Sequence, residues 1–174
     1  KELVEEGLRS QDKDYVLFSL EIIKNYRMPV DVGKLEALYQ NDDAAVVEGA
    51  LTTVLALGNG KQAPKIEALL QSSPKPEIQS LCIRTLRHLS GDEEHSRAIF
   101  PHMTSSNTGL CAEAIIYLLV KGNEDVAAEA EGRVKQLEEG GSPKDAALAA
   151  FIMGETGQER YLPSLRNILV SSVP

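Results

Sequence analysis

Three histidines, His88, His95 and His102, stand seven residues apart. On one unbroken helix they would share a face, and imidazole is the commonest metal ligand. Gly91 and Pro101 interrupt the run, however, and metal sites on helices place ligands three or four residues apart. The spacing therefore predicts exposed or capping histidines and no metal. Cys82 and Cys111 both lie in apolar stretches, "IQSLCIRTL" and "GLCAEAII", where burial as reduced thiols is expected rather than a disulfide. Neither has a histidine partner by motif, and no Gly-x-Ser-x-Gly occurs. The stretch "GNGKQ" at 58–62 suggests a phosphate loop but lacks the Gly-Lys-Ser/Thr ending and follows a helical pattern. It reads as a helix-ending turn. The residues offer no catalytic group and call for no cofactor.

The elements that would carry these residues show a repeat. "KLEALYQ" begins at Lys34 and "KIEALLQ" at Lys65, 31 residues apart, with five of seven residues identical. After the second copy comes the breaker "SSPKPE", then apolar Ile78, Cys82, Ile83, Leu86 and Leu89 at helical intervals. Val46, Ala50, Leu51, Val54 and Leu57 form the same series 32 residues earlier. Gly60, Gly91, Gly122 and Gly157 follow the last apolar turns as expected helix stops, at spacings of 31, 31 and 35. The predicted first helices of successive pairs span about 32–40, 62–72, 94–104, 124–138 and 159–170. The second helices span about 14–26, 43–58, 76–89, 108–121 and 144–155, and 1–9 reads as a first helix lacking its pair. No sustained two-residue alternation predicts a strand. The fold class is all-α, a right-handed α-solenoid of about five stacked antiparallel helix pairs sharing one aliphatic seam.

Composition limits the partners. The 174 residues carry 26 acidic and 18 basic side chains, a net charge of −8, with 43% hydrophobic residues and no Trp. That balance opposes nucleic acid and anionic lipid. No apolar run approaches the ~20 residues needed to span a bilayer. Residues 1–174 read as a single repeat domain, a fragment of a longer protein in a cytoplasmic setting. The helix "NEDVAAEAEGRVKQLEEGG" holds six carboxylates and two basic residues between Glu124 and Glu139. Its apolar stripe is Val126, Ala130, Val134 and Leu137, so the charges fill a solvated outer face.

"ALGNGKQAPKIEALLQSSP" and "MGETGQERYLPSLRNILVSS" resemble HEAT repeats of the short bacterial type found in bilin lyases. The resemblance rests on Ala56, Leu57, Gly58, Pro64 and Leu69–Leu70, and on Gly154, Gly157, Pro163, Leu165 and Leu169. It implies that the second helices line a concave face. Removing the expected buried stripe leaves Glu21, Lys24, Thr52, Leu55, Arg84, Arg87, Ile116, Leu119 and Phe151 on that face. A surface passing from charged to apolar suits a peptide or a neighbouring domain of the same chain. Ile116, Leu119 and Phe151 would be its anchors, and Arg84 and Arg87 its selectors of acidic or polar groups. The expected function is a non-catalytic protein–protein interaction or regulatory scaffold. The alternative is a bilin-lyase-like enzyme or accessory subunit. HEAT-like DNA glycosylases need a basic, aromatic groove, and HEAT-like diiron hydroxylases need His-Glu pairs. A chain of net charge −8 without Trp does not advertise the first, and no His-Glu step occurs for the second. The second helices open "AVVEG", "EIQSL" and "GLCAE" without the family's arginine, so no ion ladder between units is expected.

Overall fold

In the computed structural model, which describes residues 2–171, every regular element is helical. Eleven α-helices run along the described residues: α1 Glu2–Gly7, α2 Lys13–Tyr26, α3 Val32–Ala37, α4 Ala44–Leu57, α5 Ala63–Ser72, α6 Pro76–Leu89, α7 Ser96–Ile99, α8 Thr108–Lys121, α9 Glu124–Glu139, α10 Pro143–Thr156 and α11 Leu162–Ser171. Short 3-10 turns, Leu38–Gln40, Gly60–Gln62, Phe100–Thr104 and Glu159–Tyr161, extend or precede the first helices of the pairs. Each expected helix is present within a few residues, apart from Lys1 of the N-terminal run, which lies outside the described residues.

Local chemistry explains where the helices start. Side-chain oxygens of Asp12, Asp31, Asp43, Asn107, Asn123 and Ser142 accept hydrogen bonds from backbone N–H groups in the first turns of α2, α3, α4, α8, α9 and α10. Pro76 and Pro143 open α6 and α10, where a missing N–H costs nothing. The stops differ from expectation. Of the four glycines, only Gly157 takes the left-handed cap conformation, with φ of 64°. Gly58, not Gly60, caps α4 with φ of 66°. Gly122 ends α8 in an extended conformation, and Gly91 lies one residue beyond the cap of α6, Ser90. Gly60 instead allows close approach, since a Cβ there would stand 3.0 Å from the Leu89 carbonyl oxygen.

The helices pack as two compact units, one ending at Ser90 and the next beginning at Gly91. In the first, α4 lies between α2 and α6, while α1 packs on α2 and α5 on α6. The repeated heptad buries the same three positions in each copy, Leu35, Leu38 and Tyr39 in one and Ile66, Leu69 and Leu70 in the other. Each such aliphatic side chain contributes about 1.5–3 kcal/mol by leaving water. Gly49 lets α4 approach α2, since a Cβ would come 3.0 Å from Leu20 Cδ1. In the second unit, α8 packs on α7, the turn Phe100–Thr104, α9 and α10, and α10 also packs on α11.

Polar rungs join neighbouring pairs, contrary to the expectation of aliphatic cohesion alone. Lys13 Nζ lies 2.8 Å from Asp43 Oδ2, tying the N-terminal ends of α2 and α4. Lys34 pairs with Glu5 between α3 and α1, and Arg160 pairs with Glu131 in the second unit. Buried Gln62 donates to Glu36 Oε1 at 2.9 Å and accepts from the Tyr39 hydroxyl at 3.0 Å. These links form without an arginine at the start of α4, α6 or α8.

Candidate functional site

Successive second helices leave furrows between them, and two carry residues singled out from the sequence. In the first unit, Ala44, Glu48, Glu77, Ile78, Ser80, Leu81 and Arg84 line a furrow between α4 and α6. The second unit has a furrow between α8 and α10, lined by Thr108, Gly109 and Ala112 from α8 and by Lys144, Ala147, Leu148 and Phe151 from α10. Phe151 is 48% exposed, on a helix that buries Ala149, Ile152 and Met153 on its other side. The small side chains of Ala112 and Ala147, with Gly109, leave room beside the ring.

The other predicted residues divide. Glu21 is exposed and held by Lys24 Nζ at 2.6 Å and Asn25 Nδ2 at 2.9 Å. The Lys24 contact, then that of Asn25, holds its carboxyl below the usual range. Thr52 and Leu55 are half-buried, and the Thr52 hydroxyl donates to the Gly49 carbonyl at 3.0 Å. Arg84 is exposed, whereas Arg87 is half-buried. Ile116 and Leu119 do not belong to any exposed face. They are 0% and 6% exposed, because α9, α10 and the segment 96–104 together cover α8. All ten residues from Leu110 to Leu119 are buried. The sequence carried that signal, since "LCAEAIIYLLV" is apolar around the helix apart from Glu113, and such a helix is normally enclosed. Spacing alone missed Ala112, Ala147 and Leu148, which form the furrow with Phe151. It also missed Phe18, exposed on α2.

The chemistry-bearing residues settle into structural surroundings. His88 is exposed at the end of α6, whereas His95 is buried at 7% exposure at the N-cap position of α7, with no side-chain cap hydrogen bond and 3.8 Å from Glu94 Oε2. Burial lowers the His102 pKa. Among the described residues, no group of three or more His, Cys, Asp or Glu is arranged to hold a metal ion. Cys82 and Cys111 are free thiols in the interior. Burial pushes Cys82 up to about 12 and also raises Cys111, against the opposing effect of Arg133. "GNGKQ" is a helix-ending turn: Gly58 caps α4 and the Asn59 side chain accepts from Lys61 N at 3.2 Å. No helix among the described residues is long and apolar enough to cross a membrane. The chain matches no known family model, and no curated protein matches its sequence.

Proposed function

We propose that the chain is a non-catalytic interaction module, built as a right-handed α-solenoid of HEAT-like helix pairs, that binds a polypeptide or a neighbouring domain through the furrows between successive second helices. The carrying observation is the apolar α8–α10 furrow with Phe151 half-exposed on its wall. Side-by-side packing of α2, α4 and α6, and of α8 and α10, supports the repeat architecture. Phe151 acts as the apolar anchor, and Arg84 in the α4–α6 furrow favours acidic or polar groups. Ile116 and Leu119 support the furrow from the core and are not anchors. The net charge of −8 argues for a protein partner over nucleic acid. Buried free thiols accord with a cytoplasmic setting.

The test is selection from a displayed library of random peptides, followed by affinity measurement. Selected peptides are expected to lose roughly tenfold or more in affinity for Phe151→Asp, with the melting temperature nearly unchanged, because the ring is half in solvent. Arg84→Glu should change which peptides are selected. Selected peptides that bind Phe151→Asp at full strength would sink the reading. A spectral shift of added bilin, lost in Phe151→Asp, would assign the chain to the bilin-handling alternative.

A further inference from the structure

A second cleft lies in the second unit, on the side of the first helices, and shares no residue with the furrows above. It measures about 390 Å³ and is lined by Glu93, Ser96, Arg97, Phe100, Asn123, Val126 and Glu129. Phe100 and Val126 supply its apolar surface. Ser96 is 7% exposed, and its hydroxyl, shielded from solvent, makes no hydrogen bond. A buried hydroxyl without a partner is costly and uncommon in a native interior, which marks the cleft as an incomplete site. The turn beside it is fixed. Glu93 has φ of 66°, its N–H donates to the Lys121 carbonyl at 2.7 Å, and Lys121 Nζ reaches Asp92 Oδ1 at 3.1 Å. The backbone that presents Glu93 is thus clamped to the end of α8.

Charge identifies the occupant. Asp92, Glu93, Glu94, Glu124, Asp125 and Glu129 lie on the two segments that form the cleft, against Arg97 and Lys121. The cleft combines two carboxylates, an aromatic and an aliphatic surface, and a lining serine whose buried hydroxyl has no partner. An ammonium group has three donors and no acceptor, so Glu93, Glu129 and, once its side chain turns into the cleft, Ser96 Oγ match its needs. Phe100 and Val126 can cover the methylene stem that a lysine carries, and the ring face favours a cation. We propose that this cleft takes a lysine side chain from a basic segment of a protein partner.

A short fluorescein-labelled lysine–alanine peptide, blocked at both ends, tests this by fluorescence anisotropy at low salt. The wild type should bind it. Glu93→Asn with Glu129→Gln should weaken binding roughly tenfold or more, since two charge-assisted contacts are lost. Asparagine at position 93 tolerates the left-handed conformation, so the turn persists. Ser96→Ala should weaken binding severalfold while leaving the melting temperature equal or higher, an outcome a purely structural serine would not give. Arg97→Ala should strengthen binding by removing a competing cation. No binding by the wild type overturns the proposal. So does an equal loss in the control Glu138→Gln with Glu139→Gln, at the far end of α9, which would mean diffuse attraction. Weaker binding by Arg97→Ala would assign the cleft to an anion and overturn the proposal too.

Discussion

Two glycines in this chain answer the same substitution with opposite signs. Gly58 caps α4 at φ of 66°, and Gly132 lies within α9. Neither has any atom within 4 Å of the place a Cβ would occupy. Space is therefore not the difference; backbone conformation is. Gly58→Ala should cost about 1 kcal/mol because an L side chain is strained in the left-handed region. Gly132→Ala should add about 0.5–1 kcal/mol by reducing the freedom of the unfolded chain. Urea unfolding of both variants checks this, and a shift of both midpoints in one direction would contradict it. The same conformational demand explains the misplaced stop signals. A glycine after an apolar turn is visible in sequence, but whether it, its neighbour or neither adopts positive φ depends on how the chain leaves the helix.

At the scale of elements, the Lys13–Asp43 pair gives the α2–α4 junction a pH dependence. The hydrogen bond from Lys13 holds the Asp43 carboxyl below its ordinary value of 3.8, helped by the Ala45 N–H. The same pairing raises Lys13. A carboxyl with a depressed folded pKa contributes stability above its unfolded value and loses it as pH falls through the folded one. The stability difference between the wild type and Asp43→Asn should therefore be constant near neutrality and shrink below about pH 4. Asparagine keeps the cap, so the difference isolates the charge. Unfolding series at several pH values measure it, and a difference unchanged down to pH 2 would rule the pairing out as its source. Helix positions were legible from spacing because period and caps are local properties. The burial of Ile116 and Leu119 was not, because it depends on which three elements enclose α8. The cleft beside Glu93 was illegible for a similar reason, since a non-glycine residue at positive φ leaves no mark in a periodic pattern.

For the whole molecule, division into two compact units predicts local rather than uniform unfolding. Leu51 is fully buried in α4, and Leu51→Ala should cost about 2–5 kcal/mol. Hydrogen exchange should then accelerate across residues 2–90 much more than across 91–171. Equal acceleration throughout would mean that the units unfold as one. The 31-residue recurrence revealed the repeating helix pairs, since each copy of the heptad buries the same positions. It contained no marker of the boundary at Ser90. The two thiols carry a practical consequence. Each unit encloses a single cysteine, Cys82 in one and Cys111 in the other, and both are held in their unreactive protonated form. An alkylating reagent can therefore modify either only when its own half of the chain opens. The order in which the two adducts accumulate is a built-in clock for which half yields first.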